Sequence, residues 1–138
     1  MIRVLLVAGG TVFALLGVLH AAYTWADIRT PRRLVPDNPA VMDAMAKSAV
    51  RLSQGETTMW RAWIGFNFSH SLGALLFGLC CIALGVTLDS ILPPKSVLVV
   101  PVAIACAYQW LAIRYWFRIP SLAIAAGTSC LALAWIAY

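Results

Sequence analysis

Four long apolar runs dominate the pattern of the chain. They cover about residues 4–26, 62–88, 96–117 and 119–138, and only the third contains a charge, Arg114 near its end. A bilayer core is about 30 Å thick and needs roughly 20 apolar residues per helix, and a long arginine side chain near a helix end can reach the membrane surface. The pattern therefore predicts four transmembrane helices with these bounds.

The short connections between the later runs predict antiparallel neighbours. Pro93-Pro94 lies in the turn between the second and third runs, and Pro120 opens the fourth, where proline fits the first turn of a helix. We therefore expect residues 1–138 to form a single transmembrane domain, an all-α up-down four-helix bundle. Because the first run is longer than the apolar part of a secretory signal peptide, we expect it to be a retained span.

The link between the first two runs differs from the others because it has 35 residues, from Asp27 to Arg61. Asn38-Pro39 is typical of an N-cap followed by proline at the first helical position. Apolar and charged residues then recur on separate faces at helical spacing. This pattern predicts a short amphipathic helix at about residues 39–54, which either lies along the membrane surface or packs on the ends of the bundle.

Composition agrees with a membrane protein. Hydrophobic residues make up 62% of the chain and charged residues only 11%, whereas soluble domains carry roughly 25% charged residues. Disorder is also excluded, since it needs low hydrophobicity and high net charge.

The distribution of basic residues predicts an orientation. Seven of the ten Lys and Arg residues lie in the first and third links, and an eighth, Arg114, lies at the end of the third run next to the third link. The two links share one side of an up-down bundle. Because basic loops stay in the cytoplasm, we expect the loop 27–61 to be cytoplasmic and both termini to be outside. This charge can also attract anionic headgroups, so membrane lipids are expected partners. Nucleic acid is not, because acids interrupt the basic residues and no nucleic-acid motif is present.

Polar side chains inside the spans gather toward the basic side. His20 and His70 lie roughly 9 and 12 Å deep at 1.5 Å per residue, and polar groups at such depths usually face protein or a cavity. Two stripes follow helical spacing: His20, Thr24 and Asp27 in the first span, and Glu56, Trp60, Trp63, Asn67, His70 and Ser71 leading into the second. We expect the two stripes to face each other around a pocket that opens to the cytoplasm.

The predicted pocket suits an apolar or amphipathic small molecule, such as a lipid, a quinone or an isoprenoid. Histidine exchanges protons near neutral pH, so His20 and His70 are candidate catalytic residues, with Glu56 as a third that orients them. The candidate ligand-binding residues are Trp60, Trp63, Asn67, Ser71, Tyr108, Gln109, Arg114 and Asp27.

The residues leave other interpretations open. The two histidines can form structural hydrogen bonds between helices, or serve as axial ligands of a b-type haem. A metal site would need Glu56 or Asp27 besides two imidazoles, and none is predicted. The chain can also be an accessory subunit of a larger membrane complex. A ridge of small residues, Gly65, Ser69 and Gly73, allows close helix approach, either in the core or toward a membrane-protein partner or a second copy.

One resemblance rests on the Gly17-Val18-Leu19-His20 end of the first span and on the four-span layout. In these features the chain resembles small uncharacterised bacterial membrane proteins, broadly of the DoxX-like type. The layout covers the whole chain, and the stretch of residues 60–71 is its most distinctive segment. The resemblance implies an integral protein of the bacterial plasma membrane without an assigned activity, so it transfers no catalytic residues.

Overall fold

The computed structural model describes residues 1–91 and 93–138, and within them the chain forms five α-helices. Their bounds are α1 Ile2–Arg29, α2 Pro39–Lys47, α3 Met59–Ile91, α4 Val99–Tyr115 and α5 Arg118–Ala137. Two short 3₁₀ helices, Arg51–Ser53 and Lys95–Leu98, precede α3 and α4. The second 3₁₀ helix continues directly into α4, and together they form one span, Lys95–Tyr115. With this span, four helices in the described residues are long and apolar enough to cross a membrane. The chain is a multi-pass membrane protein, and the predicted all-α fold with four long apolar helices is confirmed.

Two helices extend beyond the apolar runs that predicted them, each at both ends. α1 covers Ile2–Arg29 instead of residues 4–26, and α3 covers Met59–Ile91 instead of residues 62–88, because helical hydrogen bonding does not stop where the apolar sequence does. α4 instead ends at Tyr115, where the extended backbone of Trp116 and Phe117 separates it from α5.

The helix in the long link is shorter than the predicted range of residues 39–54. Asn38 Oδ1 accepts a hydrogen bond from the Ala40 N–H, and Pro39 begins α2, as the sequence indicates. α2 ends before Ser48, whose carbonyl oxygen accepts a hydrogen bond from the Met59 N–H. The Ser48 carbonyl oxygen therefore bonds to the start of α3 and not to a further turn of α2. The separate 3₁₀ helix Arg51–Ser53 follows. None of the residues of α2 is buried, and Met42 and Met45 are partly covered. Both placements of this helix, along the membrane surface or on the ends of the bundle, stay predictions.

The chain divides into two compact units, of which the first comprises residues 1–16 and 74–138. It contains the start of α1, the end of α3, and all of α4 and α5. Ring contacts join three of these helices, with Phe13 lying 4.8 Å from Phe77 and 5.7 Å from Tyr108 between ring centroids. The buried core consists of Leu6, Phe13, Cys81, Leu88, Leu98, Ala105, Leu131 and Ala134.

Two glycines bring α1 and α3 into backbone contact in the first unit. A Cβ atom added to Gly10 would lie 2.6 Å from the carbonyl oxygen of Gly78, and one added to Gly78 would meet the backbone nitrogen of Ala14. Further along, Gly85 lies against Arg3 and Leu6, so the two helices run antiparallel. Small residues are the usual means of such close approach between membrane helices.

The second unit comprises residues 17–73. It contains the end of α1, the long link with α2, and the start of α3. The small residues Gly65, Ser69 and Gly73 are all exposed, and a Cβ atom at Gly65 would meet nothing within 4 Å. This ridge is therefore left uncovered at Gly65, unlike the glycine contact of the first unit.

We expect Gly78→Ala to destabilise the protein by roughly 1–3 kcal/mol, because the added methyl group overpacks a backbone contact. Gly65→Ala is the matched control, and it should be neutral or stabilise the helix by up to about 1 kcal/mol. Thermal unfolding in detergent micelles measures the difference. Equal midpoints for the two variants would contradict the close contact between α1 and α3.

Candidate functional site

A hydrogen bond between side chains joins α1 and α3 in the second unit. Asn67 is buried in α3, and its Nδ2 donates to the carbonyl oxygen of Trp63 one turn earlier, at 2.8 Å. This bond turns Oδ1 toward α1, where it lies 2.8 Å from His20 Nε2. Because an amide oxygen only accepts hydrogen bonds, His20 carries a proton on Nε2 and donates it to Asn67.

His70 lies beside His20, as the sequence predicts. The two ring centroids are 5.3 Å apart and the ring planes meet at 70°, an edge-to-face contact. Both histidines are partly buried. The depth and helical spacing of the two residues predict that they face each other, and the direct ring contact is an additional feature of the structure.

An aromatic stripe runs along α3 and ends at His70. The His70 ring stacks on Phe66 with centroids 6.3 Å apart and planes 16° apart, and Phe66 in turn stacks on Trp63 at 6.3 Å and 24°. Phe66 is 60% exposed and Trp63 is 38% exposed. We call Trp63, Phe66 and His70 the aromatic stripe. Phe66 is not among the predicted site residues, although it lies three residues after Trp63 and four before His70, on one helical face.

Two buried hydroxyl groups lie one turn after the hydrogen-bonded residues His20 and Asn67, each in the same helix as its partner. Thr24 Oγ1 donates to the carbonyl oxygen of His20 at 2.9 Å, and Ser71 Oγ donates to that of Asn67 at 2.7 Å. Such bonds to the residue four positions earlier satisfy a hydroxyl inside a helix. Ser71, a predicted ligand-binding residue, thus lies next to Asn67 with its hydroxyl hydrogen directed to the backbone.

Asp27, another predicted ligand-binding residue, organises the backbone of the link. Its side chain is buried, with 1% of the residue exposed. The carboxylate accepts hydrogen bonds from the backbone N–H groups of Arg32, Arg33 and Leu34, the shortest at 2.6 Å. The carbonyl oxygen of Leu34 accepts a hydrogen bond from Trp63 Nε1 at 2.7 Å. Asp27 and Trp63 therefore hold the link against α1 and α3.

Glu56 and Trp60 lie far from the histidines along α3. Glu56 is exposed and precedes the helix, which begins at Met59. The rise from Met59 to His70 is about 16 Å at 1.5 Å per residue, so the structure does not bring Glu56 to the histidine pair. Trp60, in the first turn, is partly buried.

The remaining predicted residues belong to the first unit. Tyr108 packs against the rings of Phe13 and Phe77. Gln109 Nε2 donates to Ser121 Oγ at 3.4 Å, and within the described residues its buried Oε1 has no hydrogen-bond partner. Arg114 is exposed. Whether these three residues line one pocket with the histidines stays a prediction.

A metal ion would need several His, Cys, Asp or Glu side chains close together. Among residues 1–91 and 93–138, no three His, Cys, Asp or Glu side chains come together as metal ligands. The chemistry of the site therefore centres on two imidazoles, one carboxamide and neighbouring aromatic rings.

The chain has no match in comparisons with protein-family models, curated proteins and solved structures. The resemblance to DoxX-like proteins stays a prediction. The function is consequently inferred from the residues of this chain.

We expect His20 and Asn67 to be energetically coupled. A double-mutant cycle with His20→Leu and Asn67→Leu should give a coupling energy of about 0.6 kcal/mol, and at most about 1.7 kcal/mol, the range for hydrogen bonds between membrane helices. Unfolding free energies in mixed micelles provide the measurement. Combining His20→Leu with Asn38→Ala, which removes the cap of α2, is the control and should be additive. Additivity in the first cycle as well would contradict the hydrogen bond.

We expect Asp27→Ala to release the backbone of the link. The amides of residues 32–34 should exchange hydrogen roughly tenfold faster or more, because bonds to a charged acceptor contribute about 1.5–3 kcal/mol. Hydrogen–deuterium exchange with mass spectrometry reports these amides directly. Asp43→Ala removes an exposed carboxylate of α2 and should leave them unchanged. Unchanged protection in Asp27→Ala would show that the carboxylate does not hold the link.

Proposed function

We propose that this multi-pass membrane protein binds an apolar or amphipathic small molecule with a flat polar headgroup, of the lipid, quinone or isoprenoid type. The ligand lies against the aromatic stripe, with its polar group at His70. The observation that supports this proposal is that an exposed row of stacked rings ends at a histidine that contacts a second histidine within apolar helices.

A purely structural role explains only part of this arrangement. Polar residues in membrane helices are costly and often mark functional sites. The hydrogen bond between His20 and Asn67 satisfies both side chains and ties α1 to α3. Helix pairing alone, however, does not require His70 to stay partly exposed at the end of an exposed aromatic row.

The stripe defines the chemistry of the ligand. A flat ring can stack on Phe66 and Trp63, since aromatic rings prefer offset-stacked or edge-to-face contacts. A carbonyl or hydroxyl group on that ring can exchange a hydrogen bond with the His70 imidazole, while an apolar tail stays in the lipid. A quinone headgroup combines all three features, so it is the ligand class we favour.

The two histidines have different roles in this proposal. His20 is a positioning residue, because its Nε2 proton is directed to Asn67. His70 contacts the headgroup, and imidazole is the side chain that gives or takes a proton near neutral pH. A hydrogen bond between the His70 imidazole and a headgroup oxygen is therefore the polar contact that this site would supply.

A b-type haem fits the ring geometry less well. A b-type haem would need one free ring nitrogen from each histidine as an iron ligand. His20 and His70 instead touch edge to face, and His20 Nε2 is bonded to Asn67. Both rings would have to move before an iron could bind.

An accessory subunit of a larger membrane complex is the second candidate function. The observation that favours it is the exposed ridge of Gly65, Ser69 and Gly73. Small residues let helices of different chains approach closely in a membrane. Recovery of the protein in a larger assembly after mild solubilisation would support this role.

We expect ubiquinone-1 to quench the tryptophan fluorescence of the protein in lipid nanodiscs. His70→Leu should weaken the apparent affinity roughly tenfold, the equivalent of about 1.4 kcal/mol, because it removes the polar group of the stripe. His70→Phe keeps a ring there and should have an intermediate effect. Trp63→Phe should lose a large part of the quenching.

Leu72→Ala, an exposed residue on another face of α3, is the control and should bind like the wild type. Unchanged affinity in His70→Leu would contradict binding at the stripe. A Soret band in the purified protein would favour the haem alternative instead.

A further inference from the structure

Three arginines are concentrated at the end of α1. Arg29, Arg32 and Arg33 are all exposed. Asp27, two residues before Arg29, is buried, and its carboxylate accepts hydrogen bonds from backbone N–H groups. The ion pairs within residues 1–91 and 93–138 are Arg3–Asp89 and Lys47–Asp43. None of the three guanidinium groups is therefore paired with a carboxylate in the described part of the chain.

Two of these arginines lie over aromatic rings of α1. The guanidinium carbon of Arg33 is 5.1 Å from the ring centroid of Tyr23, and that of Arg29 is 5.8 Å from Trp25. Tyr23 and Trp25 are 43% and 58% exposed in the last turns of a spanning helix. Exposed tyrosine and tryptophan near the ends of such helices lie at the level of lipid headgroups. The arginines are thereby placed where membrane phosphates are found.

A cation–π contact positions a guanidinium group near a ring. The planar N–H donors of a guanidinium group match two phosphate oxygens. Trp25 is itself fixed by an edge-to-face contact with Phe68, with centroids 6.5 Å apart. The side chains therefore lose less freedom on binding than free surface arginines would.

A groove beside the arginines provides space for a headgroup. Its lining includes Pro31, Arg32, Arg33, Val35, Asp37 and Met42. Asp37 is the acid in this groove, and it forms no ion pair with either arginine in the described residues. The hydrogen bonds that the N–H groups of residues 32–34 donate to the Asp27 carboxylate hold the backbone of the groove in place.

We propose that Arg32 and Arg33, which line this groove, bind the phosphate headgroup of an anionic membrane phospholipid. The phosphate contacts their two guanidinium groups, and Val35 and Met42 contact the adjoining apolar part of the lipid. Exposed rings at headgroup level favour a lipid over a soluble anion. This inference is independent of the ligand proposed at His70.

Native mass spectrometry of protein released from nanodiscs tests the proposal. The nanodiscs contain phosphatidylcholine alone or a mixture with phosphatidylglycerol. The wild type should retain phosphatidylglycerol selectively. Arg32→Gln/Arg33→Gln should reduce this retention roughly tenfold or more, as expected for two basic residues at a membrane surface. The corresponding lysine double variant should retain an intermediate amount, because lysine keeps the charge but lacks the planar edge.

The matched control is Arg51→Gln/Arg61→Gln, which removes the same charge from exposed positions of the same unit. It should retain phosphatidylglycerol like the wild type. An equal loss in the control would show attraction by overall charge and overturn the proposed site. Displacement of the lipid by inorganic phosphate would indicate a small-anion site and overturn the assignment to a lipid. Thermal unfolding of each variant shows that lost retention does not reflect lost folding.

Discussion

Polar side chains inside apolar helices must find their hydrogen-bond partners within the protein, because lipid offers none. The bond between His20 Nε2 and Asn67 Oδ1 meets this requirement for an imidazole and a carboxamide at once. It fixes which faces of α1 and α3 meet in the second unit. It also places His70, one turn beyond Asn67, against His20, and so determines where the aromatic stripe ends.

The same requirement explains the link between the two helices. Asp27 is buried, and three successive backbone N–H groups satisfy its carboxylate. The link therefore takes one defined course, which brings the Leu34 carbonyl oxygen to Trp63 Nε1. A consequence is that the carboxylate is not available to neighbouring arginines. One buried acid thus contributes both to the position of the stripe and to the exposed positive charge beside it.

The apolar runs predict the four spans because length and hydrophobicity alone decide whether a helix can cross a bilayer. The facing positions of His20 and His70 are also predictable, since depth and helical spacing locate both residues, but their ring contact is not. Phe66 was missed because phenylalanine in an apolar run carries no signal of its own. The role of Asp27 depends on the backbone conformation of the link, and helical periodicity does not report it. Periodicity grouped Glu56 with His70 in the polar stripe predicted for the second span. Periodicity gives the angle of a residue around the helix but not its distance along the helix.

Nitrogen-15 NMR of the histidine side chains in nanodiscs is the most direct test of the site. It tests whether Asn67 holds His20 through a hydrogen bond and whether His70, beside His20, binds the ligand. We expect a His20 signal with a proton on Nε2 that changes in Asn67→Leu. On addition of ubiquinone-1, the His70 signal should shift more than that of His20. A His20 ring without a proton on Nε2, or a His70 signal that does not respond to the quinone, would contradict this view of the site.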